Sequence, residues 1–218
     1  MTYTGEVAAG GPADVRDLPG LRVTKVSVGT FDNNVYVLRC AATGRTVLVD
    51  GADEPERLLA EVGDGTLDAI VQTHGHWDHI RAIDALRAAT GAELLCHEGD
   101  APAMPSPPTR LVADGDEVRV GEVTLRAIHL AGHTPGGLAL LYEGDPERPH
   151  LFTGDSLFPG GVGNTQDDPE RFASLLGDVE TKLFDRLPDS TWVYPGHGRD
   201  TTLGAERPSL PEWRARGW

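Results

Sequence analysis

The chain has 218 residues, with 34 Asp or Glu against 19 Lys or Arg and a formal charge of −15 at pH 7; that length allows one large domain with a substantial core. Such an acidic balance disfavours nucleic acid and anionic membranes, whose phosphates call for clustered Lys and Arg. No apolar run approaches the roughly 20 residues of a spanning helix, and Met1 to Val15 lacks the basic-then-apolar order of a signal peptide, so a soluble cytoplasmic protein is expected.

Residues 1–20, rich in Gly, Ala, Pro and Asp, read as a loose, flexible lead-in. Three β-prone runs follow at 21–28, 35–38 and 46–49, separated by turns at Phe31-Asp32-Asn33-Asn34 and Ala42-Thr43-Gly44-Arg45. The third run ends in Asp50-Gly51, and residues 55–61 read as a short helix with proline in its first turn. A strand at 67–72 then delivers Thr73-His74-Gly75-His76-Trp77-Asp78-His79. Single residues between His74, His76 and Asp78 let the side chains of an irregular loop converge on one point. Imidazole with carboxylate suits zinc, iron or manganese. Ile80, Ile83 and Leu86 recur at helical spacing, which predicts a helix with Asp78 near its N-terminus.

A strand at 93–96 precedes a proline-rich connector, 101–108, readable either as a border of the active site or as a plain surface loop. Residues 117–120 and 123–130 read as a hairpin turning at Gly121-Glu122, which ends on Gly132-His133-Thr134-Pro135-Gly136. Strands at 138–142 and 150–153 follow, the second running into Gly154-Asp155-Ser156-Leu157-Phe158. Phe172, Leu175, Leu176, Val179 and Leu183 mark one helix with an apolar stripe, and a strand at 191–194 ends in Pro195-Gly196-His197-Gly198. Metal-type residues therefore stand at the ends of four separate strands. Cys40 and Cys96 form no C-x-x-C pair and read as small buried hydrophobes.

With T-H-G-H-W-D-H at 73–79, G-H-T-P-G at 132–136, T-G-D-S-L-F at 153–158 and P-G-H-G at 195–198, the chain resembles the metallo-β-lactamase superfamily. Within it, the glyoxalase II (hydroxyacylglutathione hydrolase) branch is the most similar. The resemblance implies an α/β fold, the four-layered αββα sandwich of the metallo-β-lactamase fold, with residues 21–218 as a single metallo-β-lactamase-like catalytic domain. A two-metal centre is implied in a groove at one edge. His74, His76 and His133 would hold one ion, Asp78, His79 and His197 the other, and Asp155 would bridge them. Asp50 would hydrogen-bond a ligand or its loop from behind, with a helix N-cap or turn role as the competing reading. His97, His129 and His150 match no motif position and are expected to be structural.

The cofactor implied is two divalent metal ions, zinc first, with iron or manganese as alternatives. The chemistry implied is attack by a metal-bridging hydroxide, with Asp78 orienting the water, on small-molecule acyl-thioesters of the hydroxyacyl-thiol type. A thiolate leaving group needs no general acid. A persulfide dioxygenase with one iron, or a lactone or ester hydrolase of the same fold, are the alternatives. Asp155 sets the pattern apart from the true β-lactamases, which generally lack it. Gly161-Val162-Gly163-Asn164 departs from the Gly-Cys-Gly-Lys/Arg of glyoxalase II, so the cation expected to hold glutathione's carboxylate is missing. The sequence also ends at Trp218, soon after His197, so no C-terminal helical domain is expected, which counts against glutathione; a different thiol carrier, or an ester or lactone, fits the same metal chemistry. Arg171, Arg199, Trp77 and Phe158 are candidate substrate contacts, for each of which a structural or solvent-exposed role is the more ordinary expectation. The oligomeric state is left open.

Overall fold

Along Asn33–Cys40 and Thr46–Val49, successive apolar side chains are buried on both faces of the strand, the signature of a sheet covered on either side. In the computed structural model, which describes residues 2–217, these are β3 and β4 of a seven-stranded sheet. Its order is β1 (Asp14–Leu18), β2 (Leu21–Val28), β3 (Asn33–Cys40), β4 (Thr46–Val49), β5 (Leu67–Val71), β6 (Glu93–Cys96) and β7 (Arg110–Leu111). β1 to β4 pair antiparallel and β4 to β7 parallel. Two of the parallel steps are helical crossovers, α1 (Pro55–Val62) and α2 (Ile83–Thr90), as parallel neighbours require. A six-stranded sheet faces it, in the order β15 (Thr201–Thr202), β14 (Trp192–Pro195), β11 (His150–Gly154), β10 (Leu138–Tyr142), β9 (Val123–His129) and β8 (Glu117–Val120). β12 (Leu157–Phe158) and β13 (Gly161–Val162) make a small hairpin beside it.

Three apolar cores fix the layering. Leu38, Val47 and Val49 of the first sheet meet Leu125, Leu140 and Phe152 of the second in a core between the sheets. The alternate residues Val35, Val37 and Leu48 face outward and bury Leu58 of α1 and Ile83 and Leu86 of α2, which is the period-two alternation of a strand put to use on both faces. On the other side, Leu141 and Leu151 pack against α3 (Pro169–Asp178) and the π-helical segment Val179–Phe184, and also receive Trp213 of α5 (Leu210–Arg216), which follows the short α4 (Leu203–Glu206). Helix, sheet, sheet and helix together form the αββα sandwich. Among the described residues no helix is long and apolar enough to cross a membrane.

Several local expectations are corrected. The stretch read as a lead-in contains β1, all five residues of which pair with β2; its charged, half-exposed pattern Asp-Val-Arg-Asp-Leu hides a strand stabilised by tertiary pairing. The lead-in and domain boundaries also touch Met1 and Trp218, which lie outside the described residues. After His79 no single helix forms. Trp77–His79 is one 3₁₀ turn and α2 begins only at Ile83, because the N–H groups of Arg81 and Ala82 are drawn to the carbonyls of Ala52 and Gly51 (3.1 and 2.9 Å). The helix expected over 172–183 is an α-helix started by Asp168, whose carboxylate accepts from Glu170 N and Arg171 N, and finished as a π-helical turn. The 101–108 connector opens with a 3₁₀ turn at Ala101–Ala103.

In the second sheet β9, β11 and β14 run the same way. Their C-terminal ends therefore reach one edge together, and the loops beyond them carry His133, Asp155 and His197. β5 of the first sheet delivers His74 to the same edge, where β10 meets its loop through Leu138 N to Thr73 O at 2.8 Å.

Candidate metal centre

The foundation of the site is a buried carboxylate. Asp50 stands just beyond β4 with φ at 65°, a left-handed conformation that costs a non-glycine residue on the order of 1–3 kcal/mol. Its Oδ1 accepts from Gln72 Nε2 (2.9 Å) and Thr73 N (2.7 Å), and its Oδ2 from Thr73 Oγ1 (2.8 Å) and His79 Nδ1 (2.9 Å). Four donors fill the lone pairs of one carboxylate. The N-cap reading of Asp50 does not hold, since Glu54 occupies that position of α1.

Four of the five rings above it are tied from behind. Thr73 Oγ1 donates to Asp50 and so accepts from His74 Nδ1 at 3.1 Å; His133 Nδ1 donates to Asn164 O at 2.8 Å and His197 Nδ1 to Phe31 O at 2.9 Å. With His79 held by Asp50, four imidazoles carry their proton on Nδ1 and present the Nε2 lone pair inward. Those four Nε2 atoms lie 3.9 Å (His74), 3.6 Å (His79), 3.5 Å (His133) and 3.5 Å (His197) from the Asp155 carboxylate. His76 joins His74 and His133 in one group of donor atoms, all within 4.8 Å of one another, and Asp78, His79 and His197 form a second. Asp78 Oδ2 is 3.7 Å from His79 Nε2 and 3.6 Å from His197 Nε2. All seven motif residues named from the sequence, with Asp50 beneath, are thus brought to one place. Asp50 also falls near His74 and His79, but its oxygens are already saturated.

Close backbone approach explains two glycines. A Cβ on Gly196 would stand 2.1 Å from Asp155 Oδ1, and one on Gly163 would stand 1.8 Å from Asp155 O. Gly163 is the part of Gly161-Val162-Gly163-Asn164 that the site cannot change.

The residues fit a pair of cations. His74 Nε2, His133 Nε2 and Asp155 Oδ1 are buried with no hydrogen-bond partner among the described residues, and each such orphan costs about 1–3 kcal/mol. Three lone pairs aimed at one another gain nothing from a donor-poor neighbourhood but are the donor set a divalent ion requires. His79 Nε2 and His197 Nε2 stand 3.0 Å apart, close to the roughly 3.3 Å between two ligands on a tetrahedral ion with bonds of about 2.05 Å. Burial drives the His74, His76 and His133 imidazoles below their usual pKa, keeping them in the neutral, ligating form. Burial opposes charge on Asp155 too, yet His79, His197 and His74 hold it well below the usual carboxylate range. In His79 burial is outweighed by Asp155, Asp50 and Asp78, which lift it to about 9; the field that would hold a proton there equally attracts a cation.

Two supporting residues were missed in the sequence. Asn33 Nδ2 donates to Asp78 Oδ2 at 3.0 Å, while Asn34 Nδ2 donates to Pro195 O (2.9 Å) and Gly198 O (2.8 Å) on either side of His197. The only sequence signal was a pair of asparagines, which reads first as a turn. Arg171, considered as an anion contact, is committed elsewhere: Nε donates to Gly132 O at 2.8 Å, Nη1 to Gln166 Oε1 at 2.9 Å and Nη2 to His133 O. Arg199 is exposed. Trp77 is exposed, edge-on to Phe31 at 5.1 Å, and Phe158 stands 6.4 Å from the His197 ring. His97 and His129 stack on each other at 4.0 Å, and His150 joins Asp145 to Tyr194, in structural roles.

The family model described as the Metallo-beta-lactamase superfamily matches residues 28–197. A hydroxyacylglutathione hydrolase of Rhodospirillum rubrum is 37% identical over 76% of this chain and 62% of its own length. The chain thus spans under two thirds of that relative. Among solved structures, ETHE1 from Myxococcus xanthus superposes with a TM-score of 0.77 at 32% identity, covering 88% of this chain and 84% of that one. TTHA1623 in a di-iron-bound form does so with a TM-score of 0.70 at 34% identity, covering 86% and 98%.

Proposed function

The chain belongs to the metallo-beta-lactamase superfamily, and from that premise we propose that it is a metal-dependent hydrolase of the glyoxalase II type, acting on acyl-thioesters of hydroxyacyl-thiols. The single observation that carries the reading is the convergence of four imidazole Nε2 atoms, each with its Nδ1 tied back, on the Asp155 carboxylate. His74, His76 and His133 would hold one divalent ion, Asp78, His79 and His197 the other, with Asp155 between them. Zinc is our first assignment from the nitrogen-rich donor set; the likeness to a di-iron protein supports iron as the alternative. When bound, such a pair lowers the pKa of a water toward neutrality and polarises a carbonyl oxygen.

The chain's own residues do the rest. Asn33 fixes Asp78 Oδ2, so that Asp78 is placed to orient the attacking water and take a proton from it. Asp50 and Thr73 hold His79 and His74 in one tautomer, which protects the inward lone pairs from rotation. A thiolate, with a pKa of about 8.5, departs without an acid. Trp77, Phe31 and Phe158 offer an apolar rim for the acyl or thiol chain. Asn164 where glyoxalase II has a cation, and Arg171 committed to carbonyls, weigh against glutathione as the thiol. Two free, buried cysteines accord with a reducing compartment, the cytoplasm.

The test is a panel of thioesters, esters and lactones offered to metal-replete protein. Turnover of thioesters supports the reading. Turnover of esters or lactones with every thioester untouched overturns the thioester assignment. A one-iron persulfide dioxygenase, favoured by the likeness to ETHE1, would instead consume oxygen with a persulfide and leave the panel intact.

A further inference from the structure

Asp100 stands at the entrance to the proline-rich connector and matches none of the motifs. Its side chain is buried, and all its hydrogen bonds reach out to other loops. Oδ2 accepts from Gly75 N at 2.9 Å and from Thr134 Oγ1 at 2.7 Å, while Oδ1 accepts from Gly136 N at 2.9 Å. Gly75 lies between His74 and His76, and Thr134 directly follows His133. One carboxylate therefore joins the two loops that carry all three imidazoles of one donor group. The packing is as close as the bonding: a Cβ on Gly136 would stand 2.6 Å from Asp100 N, and one on Gly75 would stand 2.8 Å from Ala103 Cβ.

The other donor group is supported differently. Asp50 holds His79, Phe31 O holds His197 and Asn33 holds Asp78. None of those contacts involves Asp100. Asp50 thus supports His79 and, through Thr73, His74, whereas Asp100 meets the 73–79 stretch only at Gly75 and alone joins it to the loop that carries His133.

We propose that Asp100 is a positioning residue that sets the spacing of His74 and His76 relative to His133, and so governs the affinity of one of the two cation sites and not the other. The proposal rests on the two-ion reading of the centre. It also gives the 101–108 connector a role, since its first turn packs the clamp against Gly75. Asparagine cannot replace Asp100: both oxygens accept from N–H or O–H donors, and either orientation of an amide would set its NH₂ against one of them. Loss of a residue that orients ligands from behind typically weakens a metal 10- to 100-fold, as an order of magnitude.

The experiment is a titration of metal-free protein with zinc and with cobalt against a chromophoric chelator, comparing wild type, D100N, D100A and T134V, with thermal melting of each metal-free form alongside. Wild type is expected to take up two ions. D100N and D100A should keep one at wild-type affinity, with its cobalt spectrum unchanged, and bind the second about 10- to 100-fold more weakly. T134V, which removes one donor of three, should weaken the same site by less, and it decides the question if the Asp100 variants do not fold. Two ions bound with wild-type affinity in all the folded variants would overturn the clamp alone, as would equal weakening of both sites. Fewer than two ions in wild type would overturn the two-ion reading, and the clamp with it.

Discussion

His79 Nε2 lies 3.0 Å from His197 Nε2, with Asp155 and Asp78 carboxylate oxygens 3.5 to 3.7 Å from the same pair. Two ring nitrogens whose Nδ1 partners are already fixed do not face each other so closely unless something electron-poor is shared between them. Replacing His197 by alanine removes one side of that pair. The H197A protein is expected to bind one ion fewer than wild type and to lose at least about 100-fold in kcat/KM, since a direct donor matters more than the supporting groups worth 10- to 100-fold. Metal content and steady-state kinetics on the same preparation check both.

Asp155 is the carboxylate around which four imidazole Nε2 atoms are arranged. D155N preserves the shape and removes the charge, so both ions are expected to weaken, with turnover falling by at least about 100-fold. Retention of two tightly held ions in D155N, measured by chelator competition, would show that the carboxylate is not shared.

The Asn33 side chain donates to Asp78, while its backbone bridges to His197 and is untouched by substitution. N33A is expected to keep its metal content and its KM within about threefold, while kcat falls about 10- to 100-fold. N33A with full kcat would remove Asp78 orientation from the account.

Away from the centre, Lys25 and Asp200 form an ion pair at 2.6 Å whose side chains are 0% and 1% exposed. Lys25 also donates to Gly5 O (2.7 Å) and Gly198 O (2.8 Å), and Tyr3 and Trp192 donate to Asp200. The network joins the N-terminal segment to the loop after His197. D200A strands a buried ammonium and is expected to destabilise the protein by about 3–5 kcal/mol, whereas replacing both partners with apolar residues of similar size should recover much of that loss. Urea unfolding of the metal-free single and double variants reads the difference.

Cys40 contributes to the pH dependence of stability from outside the site. Burial pushes the Cys40 thiol up, but hydrogen bonds from Thr43 and from the backbone of Glu122 and Ala42 bring it down to about 7, from a reference value of 9.0. A group whose pKa is lowered on folding stabilises the protein above its unfolded value and loses that contribution as the pH falls through its folded value. Wild type should therefore gain stability relative to C40A as the pH rises from 7 to 9, and the two melting curves should run parallel below 7. Parallel curves throughout would place no thiolate at Cys40.

Residues whose chemistry is unusual were legible in the sequence. His74, His76, Asp78, His79, His133, Asp155 and His197 stood out because imidazoles and carboxylates crowded the ends of strands whose apolar runs were themselves plain, and the structure brings them to one edge. Residues whose role is set by distant partners were not. Asn33 reaches Asp78 across 45 positions and Asp100 reaches Gly136 across 36, and nothing local distinguishes them from ordinary turn formers. The same holds for elements. β2, β4 and β6 announced themselves by composition, whereas β1 exists through its pairing with β2, and the break before α2 exists because Arg81 and Ala82 are held by the loop after β4.

The central claim, a two-ion centre built on Asp155, is tested most directly by elemental analysis of protein purified without chelators. Two divalent ions per chain, lost together with thioester hydrolysis on dialysis against chelator and restored with it, is the result the account predicts. A single iron per chain, with no second ion bound when metal is supplied in excess, would contradict it.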